Sequence, residues 1–405
     1  MAALDGLRIL DMTQYEAGTS CTQALAWLGA DVVKVEAPDI GDPGRGVGRY
    51  STEDYSAYFC AWNANKRSLA LNLRSRKGRG ILLEMAPKFD VFVENYGPGV
   101  IERLNIGYDV LKAANPGIVY VRIKGFGASG PWSGYRCMDM VAQAAAGAFS
   151  VTGEADGPPM MPGSTIGDSG TGVQAAMAIL AAYIQKQRTG AGQEVELSMQ
   201  EAAAYYVRTR TYLGSGWDKR PAPRTGNAGG VPPVNIYPCK PFGANDYIYL
   251  MPVNEGHWDA LCAAIERGDL LLDPRFADVG SRIENGDALY EEIRNWTGQR
   301  TKYEAMEAIA GAGVPCSACL DTVEMHHDPH LTERGFVYEM DLPVHGRVPM
   351  LGFAPRLSES TVEMERAPRL GEHTHEVLAA ELEMSERQIA ALQEQGVIGD
   401  PLRFT

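Results

Sequence analysis

The sequence predicts an α/β fold in which a doubly wound, Rossmann-like large domain is joined to a small α+β domain. Two observations predict this class. Short apolar strands alternate with helical segments over residues 7–126, a pattern typical of a parallel sheet that helices cover on both faces. The chain also has 405 residues, of which 45% are hydrophobic, and this is enough for a large core.

Five segments of the N-terminal part are expected to be strands: 7–12, 31–36, 68–73, 90–95 and 117–126. Helices are expected between them over 21–30 and about 76–87. Ligands of such sheets bind at the carboxyl ends of the strands. The glycine-rich loops expected there are "TQYEAGTS", "APDIGDPGRG", "NYGPG" and "KGFGASGP", and none has a dinucleotide-binding or P-loop motif.

Further along the chain, small residues predict a closely packed helix over 137–150. A longer helix is expected after Asp168, as far as about Arg188. The Pro- and Gly-rich stretch that begins at 216 predicts a linker or a long functional loop. Residues 235–325 then show the strand and helix patterns of a small α+β unit.

Charge and cysteine content exclude several classes of function. The formal net charge is −14, so the chain has no bulk attraction to a nucleic-acid backbone. Seven scattered cysteines predict reduced thiols rather than a disulfide scaffold, and thus a cytoplasmic protein. Neither a secretory signal nor an apolar run of about 20 residues is seen, so no membrane span is expected.

The stretch "GSTIGDSGTG", residues 163–172, places one carboxylate, Asp168, among glycines and small hydroxyls, in front of an apolar helical run. Two interpretations are open. Asp168 is a favoured residue for capping a helix N-terminus, where a cap contributes about 1 kcal/mol. Alternatively, Asp168 is a nucleophile whose pKa the helix N-terminus lowers, with glycine amides nearby to stabilise an oxyanion.

Several ordered motifs carry a resemblance to a known family. "GSTIGDSGTGVQAAMAILAAYIQKQRTGAGQEVELSM" resembles the central motif of the family III CoA-transferases. "LDGLRILDMTQYEAGTSCTQALAWLGADVVKVE" resembles the family's N-terminus, and "VENYGPGVIERL", "GVPCSAC" and "APRLGEHTHEVL" resemble its later motifs in order. The resemblance therefore spans nearly the whole chain.

The resemblance implies that Asp168 attacks an acyl-CoA thioester and is converted, through a mixed anhydride, into an aspartyl-CoA thioester. An acceptor carboxylate then takes the CoA. The resemblance also implies catalytic roles for Glu16 and Asp139, and for Gly229 and Gly230 in a glycine loop over the active site. Coenzyme A thioesters are then substrates, with no permanently bound cofactor and no metal expected.

Family membership further implies how the chain is organised. The large domain is expected over 1–215, the small α+β domain with its linker over 216–325, and a segment that completes the large domain over 326–405. An interlocked homodimer is implied, while a complex with a related second subunit is left open.

The residues implied to bind the CoA moiety are carried over position by position: Ala17, Asn72, Arg74, Arg76, Asn95, Tyr96, Arg103, Lys124, Arg136 and Met138. Arg136 stands where the family has a Lys, and Arg suits bidentate phosphate contact. Residues 66–79 hold six cations, expected either to bind the 3′-phosphate and pyrophosphate or to be a solvated face: Lys66, Arg67, Arg74, Arg76, Lys77 and Arg79.

Three departures from an oxalate-specific member of the family bear on the substrate. Glu16 replaces an active-site Gln, and Met138 replaces an aromatic residue. Pro232 and Pro233 stiffen the loop over 226–235 and remove two amide donors. A bulkier or more apolar acid than oxalate is therefore expected, such as benzylsuccinate or mesaconate, with succinyl-CoA as a possible donor.

Two alternative functions are open. The family includes racemases of 2-methylacyl-CoA, which pair a His with an Asp as acid and base. Here Cys137 and Met138 occupy the place of that His, and no His lies between 1 and 256, so transfer is favoured. The second alternative is a CoA-binding subunit of a hetero-oligomeric transferase. The lone C-x-x-C at 316–319 is interpreted as structural packing rather than a zinc site.

Overall fold

A computed structural model describes residues 1–48 and 55–399, and the chain divides into two compact units. The first unit comprises Met1–Phe149, Met161–Pro221 and the chain from Gly335 onward. The second unit comprises Ser150–Met160 and Ala222–Arg334.

A six-stranded sheet forms the centre of the first unit. Its strands are β1 Arg8–Met12, β2 Asp31–Glu36, β3 Arg67–Ala70, β4 Val91–Glu94, β5 Val119–Lys124 and β6 Glu194–Ser198. All neighbouring strands are parallel, in the order β3–β2–β1–β4–β5–β6. This is the order of doubly wound folds, in which the direction of winding reverses between β1 and β4. The predicted α/β class with a parallel sheet is confirmed.

Eight helices of the first unit come before the second unit's strands. They are α1 Ala17–Ala26, α2 Ala57–Asn63, α3 Arg76–Met85, α4 Val100–Leu104, α5 Tyr108–Ala114, α6 Asp139–Ala145, α7 Ser169–Thr189 and α8 Met199–Ser215. The long α7 ends at Gly190, whose φ of +73° is the left-handed conformation of a helix stop.

The second unit contains a three-stranded antiparallel sheet with helices packed on it. The strands are β7 Asn235–Pro238, β8 Tyr247–Leu250 and β9 Cys316–Ala318. The helices are α9 Glu255–Ala264, α10 Val279–Glu284, α11 Gly286–Thr297, α12 Lys302–Gly311, α13 Thr322–His326 and α14 Pro329–Glu333. Trp258 and Leu261 of α9 pack with Ile248 of β8 in the unit's own core.

The last part of the chain belongs to the first unit. It forms an antiparallel hairpin, β10 Val337–Leu342 and β11 Gly346–Leu351, and then α15 Thr374–Leu382 and α16 Glu386–Glu394. None of the helices in the described chain combines the length and apolar character that crossing a bilayer requires.

Helices cover both faces of the parallel sheet. Successive residues of a strand point to opposite faces. Leu10 and Val33 therefore pack in one core, with α3 and α15, while Ile9 and Val32 pack in a second core, with α1 and α7. The carboxyl ends of the strands, where folds of this kind bind ligands, therefore belong to a sheet that is packed against helices on both faces.

Several elements differ from the sequence prediction, including helices α2, α4, α5 and α8, which were not predicted. Strand β6 was not predicted, because Glu194 and Glu196 alternate with half-buried apolar residues at the edge of the sheet. Helix α1 begins at Ala17 rather than at residue 21. The small residues of its first turn let it pack closely on α7. Helix α6 ends at Ala145 rather than at residue 150, and Gly147 follows with a φ of +87°.

The contact between α1 and α7 depends on a glycine. A Cβ on Gly172 of α7 would lie 2.1 Å from Ser20 Oγ and 2.8 Å from the Ala17 carbonyl oxygen. The Ala17 carbonyl belongs to the backbone of α1, so it cannot move away from an added methyl group unless the helix shifts. Gly172 therefore sets the distance between the two helices, and with it the distance between the residues at their N-terminal ends.

We expect Gly172→Ala to lower the free energy of unfolding by about 1–3 kcal/mol, since the added methyl group overpacks the helix contact. Gly80→Ala in α3 is the matched control, because a Cβ at that glycine meets nothing within 4 Å. The control should gain up to about 1 kcal/mol from helix propensity. Urea unfolding measures both, and effects of the same sign would contradict this account of the α1–α7 contact.

Candidate active site

Asp168 lies at the carboxyl edge of the sheet, at the residue that precedes α7, and its side chain is almost buried. Its carboxylate does not cap the helix: it accepts no hydrogen bond from the amides of the first turn. The capping interpretation was therefore wrong for the side chain. The Asp168 N–H donates to Asp139 Oδ1 at 2.9 Å.

Two further carboxylates lie around Asp168. Glu16, which precedes α1, accepts a 2.6 Å hydrogen bond from Thr165 Oγ1 in the loop that leads to Asp168. Asp139, the first residue of α6, accepts from Gln143 Nε2 at 2.9 Å, in addition to the Asp168 N–H. All three side chains are buried or nearly so. In the part of the chain that the structure describes, no Lys or Arg forms an ion pair with any of them.

This arrangement raises the pKa of Asp168 to about 7. Burial is the main cause, followed by the negative charges of Glu16 and Asp139. The expectation that the helix N-terminus lowers the pKa of Asp168 was therefore wrong. Burial also raises the pKa of Glu16, with Asp139 adding to the shift and the Thr165 hydroxyl opposing it.

Glycines make the close approach of these groups sterically feasible. A Cβ on Gly167 would lie 2.6 Å from Asp139 Oδ1 and 2.7 Å from the Asp139 carbonyl oxygen. A Cβ on Gly170 would lie 2.6 Å from the ring of Tyr206, whose hydroxyl donates to the Gly170 carbonyl at 3.1 Å. Larger residues at either position would push the Asp168 loop away from its neighbours.

A cleft of about 520 Å³ opens beside Asp168. Its walls come from the carboxyl ends of three strands: Gln14, Tyr15 and Ala17 after β1, residues 95–98 after β4, and residues 123–125 at the end of β5. Residues 135–138 close one side. Gln14 and Asn95 join two of these walls through a pair of 2.8 Å hydrogen bonds, at the point where the sheet changes direction. This is where doubly wound folds bind ligands.

A second pocket of about 350 Å³ adjoins the first and shares Gln14, Tyr96 and Val100 with it. Its remaining walls are residues 35–41 after β2 and 71–74 after β3. The two pockets together line the carboxyl edge of the sheet from Asp168 to Arg74. Such a continuous trough suits a long ligand that carries its reactive group at one end.

Most of the residues expected to bind CoA lie in these two pockets. The first pocket is lined by Ala17, Asn95, Tyr96, Arg103, Lys124, Arg136 and Met138, together with Asp168, and the second by Asn72, Arg74 and Tyr96. Arg76 is exposed on α3 and lines neither pocket. Lys124 is engaged within the fold, because its Nζ contacts Glu94 and the Tyr96 carbonyl at 2.8 and 2.6 Å.

The expected cationic site over 66–79 is not a single surface. Lys66 is buried and pairs with Asp11 at 3.0 Å, so its inclusion was wrong. Arg67 is held by Asp31 and Glu376. Arg79 donates to the carbonyls of Leu73 and Arg74. Arg74 is the member of this cluster that lines a pocket and is exposed.

Gly229 and Gly230 lie in the second unit, in the irregular segment before β7. A Cβ on Gly229 would lie 2.4 Å from Tyr249 Oη, and one on Gly230 would lie 3.6 Å from Val234. Within residues 1–48 and 55–399, no group of three or more His, Cys, Asp or Glu side chains is arranged to hold a metal ion.

Sequence reasoning missed several residues of the site. Gln143 donates both to Asp139 and to the Ser164 carbonyl, and so ties the Asp168 loop to α6. Gln14 and Tyr15 line the cleft. The signal for the latter two was present, because the loop "TQYEAGTS" was expected at the carboxyl end of β1, where ligands bind.

The chain is similar to proteins of one family over nearly its full length. The family model described as CoA-transferase family III matches residues 4–374. A formyl-CoA:oxalate CoA-transferase of Streptomyces coelicolor is 40% identical over 409 aligned positions, which cover 98% of this chain and 99% of the relative. A relative of the same name from Rhodopseudomonas palustris is 37% identical and covers 98% of both chains. A solved structure of a CaiB/BaiF family protein from Brucella suis has a TM-score of 0.83 and 30% identity, covering 94% of this chain and 99% of that protein.

We expect Asp168→Asn to stabilise the fold at neutral and alkaline pH. The pKa of Asp168 is raised from 3.8 to about 7, so the folded state disfavours its ionisation. At about 1.4 kcal/mol per pKa unit, this penalty grows between about pH 4 and pH 7 and reaches a few kcal/mol above pH 7. Asn is neutral at every pH and removes the penalty.

Urea unfolding at several pH values measures this effect. The gain should be largest at about pH 8 and vanish near pH 4. Asp278→Asn is the control, because Asp278 is an exposed cap of α10 whose pKa the Ser281 amide lowers, so it should show no gain at pH 8. An Asp168→Asn protein that is less stable than the wild type at pH 8 would contradict the buried-carboxylate account.

Proposed function

The chain belongs to CoA-transferase family III and is a CoA-transferase, and from this premise we propose that Asp168 carries the CoA as an aspartyl thioester between two carboxylic acids. The observation that carries the proposal is the state of Asp168. Its carboxylate lines the cleft, is almost buried, and accepts no hydrogen bond from the described residues. Its lone pairs are thus available to an electrophile that enters the cleft.

The steps conserve atoms and charge without a proton transfer. An Asp168 oxygen bonds to the acyl carbon of the donor, and the C–S bond breaks to release CoA thiolate. The thiolate attacks the Asp168 carbonyl of the mixed anhydride, which frees the first acid as a carboxylate. The acceptor carboxylate attacks the aspartyl thioester, thiolate leaves again, and its attack on the acceptor carbonyl yields the new acyl-CoA and restores Asp168.

Burial of Asp168 supports this role physically. A carboxylate in water is stabilised by hydration and is a weak nucleophile, whereas a desolvated one has lost that stabilisation. The raised pKa of Asp168 reports the loss, with Glu16 and Asp139 contributing after burial. We propose that Glu16 and Asp139 act on the reaction in this way, by raising the free energy of the ionised nucleophile relative to its protonated form.

The two adjoining pockets support a placement for CoA. We propose that the pantetheine arm runs along the first pocket, past Gln14 and Asn95, with the thioester at Asp168. The nucleotide part then occupies the second pocket, where Arg74 is the exposed cation. Arg103 and Arg136 line the first pocket and are exposed, so each is accessible to a phosphate or to a carboxylate.

For the acids, we propose a substrate bulkier than oxalate, with succinyl-CoA as donor and a dicarboxylic or aromatic acid such as benzylsuccinate or mesaconate as acceptor. The similar curated proteins are named formyl-CoA:oxalate CoA-transferases. The support for a different acid is local: Met138 at the cleft, Glu16 beside the nucleophile, and Pro232 and Pro233 in the second unit's loop.

We also propose that the chain works as a homodimer of the interlocked kind that the family resemblance implies, with a paralogous second subunit as the alternative. An apolar face on two helices supports a protein partner. Val173, Met177 and Ile184 lie on one side of α7, and each is more than half exposed, as is Leu213 of α8. Apolar residues grouped in this way mark protein interfaces.

A donor–acceptor panel tests the transfer. Formyl-CoA and succinyl-CoA are each mixed with oxalate, mesaconate or benzylsuccinate, and the new thioester is identified by mass spectrometry. We expect transfer to a bulkier acid to exceed transfer to oxalate, and Asp168→Asn to abolish both. A preference for oxalate would overturn the substrate proposal. Exchange of the Cα hydrogen of a 2-methylacyl-CoA in D₂O, with no acceptor present, would instead indicate a racemase.

The pH dependence of the first half-reaction gives a second prediction. Attack needs ionised Asp168, so kcat/KM for the acyl-CoA donor should rise with pH through about 7 and then level off. Glu16→Gln removes a neighbouring negative charge, which makes ionisation of Asp168 easier, so the acid limb should move to lower pH. Rapid-quench measurement of the first acid, released when the aspartyl thioester forms, gives both profiles. An unshifted limb in Glu16→Gln would contradict the coupling of the two carboxylates.

A further inference from the structure

The segment Thr13–Tyr15 contributes Gln14 and Tyr15 to the cleft, and side chains satisfy all of its backbone hydrogen-bonding groups. It has three backbone N–H groups and three carbonyls, and each of the six is bonded to a side chain. Those side chains are Asp11, Lys34, Asn95 (with two bonds), Asp42 and Thr19. A wall of the cleft is thus fixed by side chains that come from other parts of the fold.

Asp42 and Lys34 account for two of these bonds, and they also bind each other. Their side chains are almost completely buried and form an ion pair of 2.9 Å. Lys34 Nζ donates to the Thr13 carbonyl at 2.8 Å, and Asp42 Oδ1 accepts from the Tyr15 N–H at 3.0 Å. Tyr15 has a φ of +59°, a left-handed conformation that a Tyr adopts only when its surroundings hold it there.

The same pair lies next to the residues that line the second pocket. Lys34 lies in β2, and Asp42 directly follows residues 37–41, which line that pocket. The Asp42 N–H donates to Glu36 Oε2 at 2.9 Å, and Glu36 lines the second pocket. Asp42 is therefore bonded both to a residue of the second pocket and to Tyr15, which lines the first. Asp42 is therefore attached to both pockets while lining neither of them.

We propose that Asp42, with Lys34, is a positioning residue that transmits binding of the CoA nucleotide in the second pocket to the Thr13–Tyr15 wall beside Asp168. This rests on the proposed function. The nucleotide lies far from the reacting bond, and the binding energy of such a remote part accelerates a reaction only if it is used to orient the reacting groups. The Asp42–Lys34 pair is a direct, buried connection through which that orientation is imposed.

Charge balance shows why both partners are needed. Burial works against the charged form of Lys34, but Asp42, followed by Asp11 and Glu36, outweighs it and keeps the pKa of Lys34 above its usual value. Removal of Asp42 alone leaves a buried cation with a partner lost, which endangers the fold. A double substitution, Lys34→Met with Asp42→Asn, removes both charges and keeps the side-chain volumes similar.

The test compares a full acyl-CoA with the corresponding acyl-pantetheine, which lacks the nucleotide. In the wild type, we expect a higher kcat with acyl-CoA. In K34M/D42N, this advantage in kcat should shrink by about 10- to 100-fold, while the dissociation constant of CoA stays unchanged. A defect confined to folding or to binding would not produce this separation of kcat from affinity.

The control is an ion pair at the opposite ends of the strands, between Asp90 and Lys186 at 2.7 Å. D90N/K186M should keep the kcat advantage of the nucleotide. If the advantage is intact in K34M/D42N, or falls equally in both double variants, the proposal is wrong.

Hydrogen–deuterium exchange decides the proposal without any turnover. In the wild type, CoA should slow exchange of the Gln14, Tyr15 and Glu16 amides, and acyl-pantetheine should not. In K34M/D42N, CoA should leave these amides unaffected. No slowing in the wild type, or the same slowing in the variant, would overturn the coupling. If the proposed function is wrong, the wild-type protein, with Asp168 intact, will not transfer CoA. The exchange data test the coupling between the two pockets even in that case.

Discussion

Buried ion pairs around the carboxyl ends of β1 and β2 are the interaction on which the candidate site depends. They join three acids to three bases: Asp11 to Lys66, Lys34 to Asp42, and Glu36 to Arg45. Burial favours neutral carboxyls, but Lys66 and Arg45 outweigh it and lower the pKa of Asp11 and Glu36 to about 2. Burial also lowers the pKa of Lys66 to about 8. Loss of one partner of such a buried pair costs about 3–5 kcal/mol. The loops that form both pockets are bonded to these pairs.

The acids at the reaction centre are the opposite case. Glu16, Asp139 and Asp168 are buried as well, yet in the described chain they face hydroxyl, amide and backbone groups instead of cations. Their mutual repulsion raises the pKa of Asp168 after burial has done so. The candidate site therefore contains an unbalanced group of acids, whereas the acids at the ends of β1 and β2 are each paired with a base. The glycines at 167, 170 and 172 are what let these groups come so close.

Local sequence patterns predicted most strands of the parallel sheet, but they did not predict the pKa shifts of the buried acids. The buried strands at 7–12 and 31–36 are rich in Val, Ile, Leu and Met, so their place in a parallel sheet was predictable. Strand β6 was not, because it has only two apolar residues among its five and its identity depends on pairing with β5. Asp168 was found through its motif. The direction of its pKa shift was missed because Glu16 and Asp139 are distant along the chain, as Asp11 is from Lys66, and such partners meet only in the folded protein.

The covalent state of Asp168 is the most direct test of this account. The enzyme is incubated with an acyl-CoA and no acceptor acid, treated with hydroxylamine, digested and analysed by peptide mass spectrometry. The account predicts a hydroxamate on Asp168, formed only when acyl-CoA is present and absent from Asp168→Asn. An unmodified Asp168 in a protein that still transfers CoA, or a hydroxamate on Glu16 or Asp139 instead, would contradict it.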